Sequence, residues 1–263
     1  MQKLTHKQYL KDLKRKKSTI LLLQIGVLVV FLAVWELLAR FDLIDSFITS
    51  SPSRIVKTVV QLTQTGGLWT HVWVSTYETV AGFALGTVLG YLCAVILWWN
   101  DVVKKVLEPY LVVLNSLPKI ALGPLIILWV GTGKGAIIVM TILISVVITT
   151  ITVLNGFCQV DADKVMLMQS MQANKVQIFS KLVAPSNLPT LLATLKINVG
   201  MSWVGSIMGE YLVSKEGLGY LLIYGAQTFR LDLVMTCTIV LCLLAGVMYL
   251  GVSMLEKHIG KKY

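Results

Sequence analysis

The sequence predicts an all-α membrane protein with six spanning helices, and three observations predict it. Hydrophobic residues make up 56% of the 263-residue chain and charged residues only 14%, against about 25% charged in an average globular domain. Mean hydropathy is +0.77, and apolar runs of the ~20 residues needed to cross a bilayer recur along the chain. Basic residues gather at the ends of those runs, seven of the 23 within the first 17 positions (Lys3, Lys7, Lys11, Lys14, Arg15, Lys16 and Lys17) and three at the close (Lys257, Lys261 and Lys262). The net charge of +10 therefore reads as a positive-inside signature facing anionic lipid, not as a nucleic-acid surface.

Residues 1–18 form a basic tail expected on the cytoplasmic side, followed by a first span over 19–39 that ends in WELLAR. That run is too long for a cleavable signal and has no small-residue cleavage pattern, so it is expected to remain as an anchor. Residues 40–70 are polar enough to lie outside the membrane. Within them SPSRIVKTVVQL places Ser51 at an N-cap and Pro52 at the first helical position of a short surface helix.

A core of five more spans is expected over 71–256, with 257–263 as a cytoplasmic tail. The second span, from about Trp73 to Trp99, carries Gly82, Gly86 and Gly90 at four-residue spacing. That doubled small-xxx-small face lets another helix approach closely. Asp101, Lys104 and Lys105 mark a turn. The third span, Val106 to Gly131, is interrupted by Pro118 and Pro124 with Lys119 between them. Broken helices line cavities in transporters, because their freed backbone groups need partners. The fourth, fifth and sixth spans run from Ala136 to Phe157, Leu188 to Val213 and Leu233 to Leu255. With both termini inside, 15 basic residues fall on the cytoplasmic side and six outside, which supports the orientation.

The polar stretch Asp161 to Pro189 stands out among the connectors of the second half. Val165, Met168, Met171 and Val176 recur at helical spacing, so it is expected to form short amphipathic helices that dock onto a soluble partner. The run Glu216 to Phe229 is too short to cross and too apolar for a plain loop, which fits a re-entrant or interfacial helix.

Several sharper motifs fail. GTGKG at Gly131–Gly135 lacks both the upstream glycine and the Ser/Thr of a phosphate loop, and reads as a tight turn. Cys93, Cys158, Cys237 and Cys242 contain no CxxC pair, so neither a disulfide framework nor a metal site is expected. Among ionisable residues within spans, Glu36 and Glu78 are expected at hydrated outer ends and Lys196 is expected to snorkel. Glu210 is expected either to line a cavity or to sit at the interface. No chain of mid-membrane carboxylates or histidines suggests a proton relay.

The blocks SPSRIVKTVVQL, AGFALGTVLG, NSLPKIALGPLIILWVGTGKG, IFSKLVAPSNLP and EYLVSKEGLGYLL, in this order and spacing, resemble the permease subunit of bacterial binding-protein-dependent ABC importers. The likeness covers Ser50 to the C-terminus and falls in the branch serving sulfonates, taurine, nitrate and pyrimidine precursors. It implies the type I importer permease fold, a cytoplasmic coupling helix within 161–189, and transport without enzymatic activity or a cofactor in this chain. ATP and Mg²⁺ would belong to partner ATPase subunits. An extracytoplasmic binding protein would deliver a small anionic or heterocyclic solute, and a second copy or a sister permease would complete the pathway. The residues it nominates for ATPase coupling are Asp163, Met166, Met168, Met171, Gln172, Ala173 and Asn174. Asn115, Lys119, Trp203 and Glu210 are nominated for the translocation pathway.

The family's Glu-Ala-Ala triplet falls on Met166, Leu167 and Met168, and its glycine on Gln172, so only Leu188–Pro189 and the hydrophobic frame match. A glutamine at a left-handed bend costs about 1 kcal/mol. Two outcomes are expected: the bend lies elsewhere, or helix continues through Gln172. An ion-coupled secondary transporter would instead need no cytoplasmic docking helix and would show mid-membrane carboxylates; a non-transporting membrane scaffold or assembly factor is the other alternative.

Overall fold

Proline, glycine and capping side chains divide the chain into its helices in the computed structural model, which describes residues 6–65 and 67–259. Lys3, Lys261 and Lys262, the outermost members of the two basic clusters, lie outside the described residues. The elements are α1 (His6–Arg40), α2 (Ser46–Thr49), α3 (Pro52–Gln64), α4 (Gly67–Trp99), α5 (Asp101–Ser116), α6 (Gly123–Val130) and α7 (Lys134–Cys158). After them come α8 (Ala162–Ser170), α9 (Lys175–Ile178), α10 (Ala184–Ser186), α11 (Leu188–Val213), α12 (Leu218–Gln227) and α13 (Leu231–Ile259). A 3₁₀ turn (Lys119–Leu122) precedes α6 and a π-helical turn (Phe179–Val183) follows α9.

Among the described residues, five segments are long and apolar enough to span a bilayer: Ser18–Arg40 within α1, then α4, α7, α11 and α13. The expected third span is broken, its halves Asp101–Ser116 and Lys119–Val130 meeting at 89°. Pro118 causes the break by forcing its predecessor out of the helical region, and Leu117 takes φ −63°, ψ 134°. At the other end of α6, Gly131 (φ 91°) and Gly133 (φ 111°) supply the positive-φ turn written GTGKG. Ser51 caps α3, accepting a hydrogen bond from the Arg54 N–H at 3.4 Å.

The bundle is centred on α7, which packs between α4 and α11. Gly82, Gly86 and Gly90 of α4 face Thr141, Ser145 and Thr149 of α7. A methyl at any of the three would lie 2.5–2.7 Å from the opposing Cβ. The hydroxyl residues of α7 thus repeat with the same four-residue period as the glycines they cover. On α11, Asn198, Ser202, Ser206 and Glu210 keep that period and are fully buried. Asn198 Nδ2 donates to Thr149 Oγ1 at 2.6 Å and to Thr87 Oγ1 at 3.3 Å. Ser202 pairs with Ser145 at 3.0 Å, and Ser206 with Thr79 at 2.6 Å. Lipid tails are as apolar as leucine, so close backbone approach and interhelical hydrogen bonds hold membrane helices together. This polar seam provides both.

Two ion pairs fasten the periphery. Arg54 of α3 reaches Asp232 of α13, with Nη2 at 2.8 Å and Nε at 3.2 Å from Oδ2, while Ser50 Oγ donates to Oδ1 at 2.8 Å. Lys196, expected to snorkel, pairs with Glu256 of α13 at 2.5 Å. Glu36 is half-buried and accepts from both the N–H and the hydroxyl of Ser53. Glu78 departs from its expected hydrated position and is fully buried. The reason is depth: α4 begins at Gly67, which places Glu78 about 16 Å along the helix at ~1.5 Å per residue, near Glu210 of α11.

Candidate functional site

The stretch 161–189 folds into α8, α9, α10 and the π turn, the short helices its periodicity predicts. Asp161 opens α8 by accepting from the Asp163 N–H at 3.0 Å. Asn174 and Gln177 form a reciprocal capping box at the start of α9, each side chain accepting from the other's N–H at 2.8 Å. Between them the chain turns at Gln172, which adopts φ 58°.

That angle corrects both expected outcomes: the bend stays at the position of the missing glycine, and a glutamine makes it. The Gln172 N–H donates to Gln169 O at 2.8 Å, and the Ala173 N–H to Met168 O at 3.0 Å. These two bonds are the 5→2 and 6→1 pair of a Schellman ending. Ala173 and Met168, the residues such an ending brings together, pack into the same apolar cluster. Two hydrogen bonds and an apolar contact offset the ~1 kcal/mol cost of a side chain in the left-handed region.

The segment sits on an aromatic base. Trp98 and Trp99 close α4, and their rings, with Phe157 of α7 and Phe179 of the π turn, approach at centroid distances of 5.1–6.5 Å. Val165, Met168 and Ala173 pack from above onto the buried Leu97, Val153, Phe157 and Ile178. Lys175 Nζ donates to the Trp99 carbonyl at 2.6 Å and stands 5.5 Å from the Trp98 ring centroid. A cleft of about 370 Å³ opens between α8 and the end of α4, bordered by Trp98, Lys104, Cys158 and Met166.

The nominated coupling residues therefore divide into two sets. Met166 and Met171 are 63% and 74% exposed, Leu167 beside them is 62% exposed, and Asp163, Gln172 and Asn174 are also exposed. Met168 and Ala173 face inward onto the base, so Met168 supports the segment and does not present it. Sequence reasoning left out Leu167, Lys175 and the tryptophan pair. Trp98–Trp99 at the end of a span signals only a membrane interface on sequence grounds.

The four pathway candidates are not brought together within this chain. Asn115 and Lys119 flank the break in the third span, where Lys119 Nζ donates to Asn115 O at 3.1 Å and Asn115 is exposed. Trp203 is buried against Val199 and Val252. Glu210 is fully buried and accepts from the Gly219 N–H at 2.6 Å. No group of three or more His, Cys, Asp or Glu suited to a metal ion occurs among the described residues.

Residues 86–263 match the family described as binding-protein-dependent transport system inner membrane component. The formylaminopyrimidine transport permease of Halalkalibacterium halodurans is 32% identical over 72% of this chain and 75% of its own length. A probable ABC transporter permease of Haemophilus influenzae is 29% identical over 89% of this chain and 94% of its own length. The taurine transport permease of Escherichia coli is 23% identical over 90% and 88%. Among solved structures, a bacterial ABC transporter involved in importing the acidic polysaccharide alginate superposes with TM-score 0.65 at 15% identity, covering 95% of this chain and 99% of that one. An inward-facing methionine ABC transporter gives 0.63 at 20%, covering 73% and 97%. These structures share the fold, and the sequence match fixes the family: the chain belongs to the binding-protein-dependent inner-membrane components, the multi-pass permease subunits of bacterial ABC importers.

Proposed function

We propose that the exposed face of α8 and its C-cap, formed by Met166, Leu167 and Met171, is the surface on which an ATPase subunit docks to drive this permease. The observation that carries the proposal is an apolar, methionine-bearing tip packed on an aromatic base. Methionine fills an irregular groove by changing rotamer, and the base passes the push directly to α4 and α7. In this reading both termini and α8 face the cytoplasm, and ATP and Mg²⁺ bind on the ATPase. An extracytoplasmic binding protein delivers solute at the opposite end.

The apolar outer face of α5, which has no buried residue in the single chain, is the part a second permease copy or a sister permease would cover. Asn115 and Lys119 at the bend would then border the shared pathway. The half-buried lysine favours a small solute carrying negative charge, and the relatives named for taurine and formylaminopyrimidine transport support a small anionic or heterocyclic cargo.

Co-purification with the partner ATPase tests the docking surface. Met171→Asp and Leu167→Asp each place a charge in the apolar contact, costing about 2 kcal/mol or more, and should lose the ATPase while the permease still inserts. Undiminished co-purification of both variants would remove α8 as the docking surface.

A further inference from the structure

Three consecutive backbone N–H groups enter α12, those of Gly217, Leu218 and Gly219. Each is captured by a side chain from a different turn of the bundle. The Gly217 N–H donates to His71 Nδ1 at 2.8 Å, the Leu218 N–H to Ser75 Oγ at 2.7 Å, and the Gly219 N–H to Glu210 Oε2 at 2.6 Å. His71 and Ser75 lie one turn apart on α4, and Glu210 is on α11. The first N–H groups of a helix have no intrahelical partner and are ordinarily satisfied by the residue just before it. Here no side chain of the preceding residue caps α12, and two other helices do so instead.

The fit leaves no slack. Gly217 holds φ 108°, and a Cβ on it would run into the Glu210 carboxyl. A Cβ on Gly219 would lie 2.8 Å from Glu210 Cβ and 3.0 Å from the Ile207 carbonyl oxygen. The Tyr220 ring stacks on His71 at 6.1 Å, and Leu218, Leu221 and Leu222 share one buried cluster with Leu68 of α4. All three side chains accept from the backbone that opens α12, which is a positioning role. We propose that His71, Ser75 and Glu210 are positioning residues that fix α12 to α4 and α11 throughout the transport cycle. α12 then travels with the bundle and does not swing as an independent gate.

Hydrogen exchange on the full chain in lipid nanodiscs, followed on the peptide spanning 214–222, tests the capture. Glu210→Ala should speed exchange at Gly219 and its neighbours about tenfold. Glu210→Gln, which keeps a carbonyl acceptor, should stay close to wild type. Ser75→Ala, a milder change that preserves folding, should speed exchange at Leu218.

A second measurement tests the motion. In a version without the four native cysteines, cysteines at Leu68 and Leu222 are joined by a short thiol-specific linker. The permease–ATPase complex is reconstituted, and its ATP turnover is read as phosphate release. Turnover should be unchanged by the linker. Loss of turnover on linking would show that α12 moves against α4 and overturn the proposal. So would unchanged exchange in both Glu210→Ala and Ser75→Ala.

Discussion

Lys175 Nζ donates to the Trp99 carbonyl at 2.6 Å, tying the first residue of α9 to the last residue of α4. The terminal carbonyls of a helix carry partial negative charge and attract a cation. The Trp98 ring face adds a second attraction at 5.5 Å. α4 is also the helix whose glycines seat α7, so displacement of α9 reaches the bundle centre through two close contacts.

Lys175→Met keeps the aliphatic stem but removes the charge and the hydrogen bond, together worth about 1–2 kcal/mol. The variant should still bind the ATPase, because Lys175 lies below the exposed face of α8. Its solute-dependent stimulation of ATP turnover should fall several-fold. Equal stimulation in Lys175→Met and wild type would show that force reaches α4 by another route.

The glycine face of α4 makes a graded prediction. A methyl on Gly90 would meet Thr149 Cβ at 2.6 Å and the Val146 carbonyl oxygen at 2.8 Å, the latter being backbone that cannot rotate away. Gly200, on α11, has nothing within 4 Å of the same position. Gly90→Ala should therefore destabilise by about 1–3 kcal/mol through overpacking. Gly200→Ala should be neutral or stabilise by up to ~1 kcal/mol through helix propensity. Melting temperatures of the two variants in one detergent will check the ordering, and a smaller loss for Gly90→Ala than for Gly200→Ala would contradict the packing described.

The contrast between Gly90 and Glu78 shows what sequence can carry here. Periodicity is a property of neighbours along the chain. The Gly82–Gly86–Gly90 face, the Ser51 cap and the Pro118 break could all be read from spacing and residue type. So could Thr141–Ser145–Thr149 and Asn198–Ser202–Ser206–Glu210, whose shared period of four is plain once sought. What covers a residue is a property of the fold. Glu78 looked interfacial because its depth was measured from the span end, and only packing shows that it is fully buried. The capture of Gly217–Gly219 by His71, Ser75 and Glu210 joins residues up to 146 positions apart, beyond the reach of any local pattern.

Gln172 gives the next prediction. Its φ of 58° is a conformation glycine adopts freely and β-branched residues resist. Gln172→Gly should relieve about 1 kcal/mol of local cost and leave ATPase affinity equal or higher. Gln172→Val should force the turn open, displace Ala173 from the base and weaken affinity several-fold. Titration of the ATPase against nanodisc-embedded variants measures both, and a valine variant as tight as wild type would show that the left-handed turn is dispensable for docking.

Thr132 and Ser170 test the proposed orientation in the membrane. Thr132 is in the turn before α7, and Ser170 ends α8 just beyond it. α7 is 25 residues long, about 37 Å at ~1.5 Å per residue, enough to place its two ends on opposite faces of a bilayer. In the proposed orientation, with the basic residues counted inside, Ser170 would face the cytoplasm and Thr132 would face out. Both α8 docking and delivery of solute from outside require that arrangement. In a background lacking the native cysteines, Thr132→Cys should react with a membrane-impermeant maleimide in intact cells. Ser170→Cys should react only in inverted vesicles or after permeabilisation. The reverse pattern would invert the protein and detach α8 from any cytoplasmic ATPase, whereas labelling of both from one side would mean that α7 does not cross.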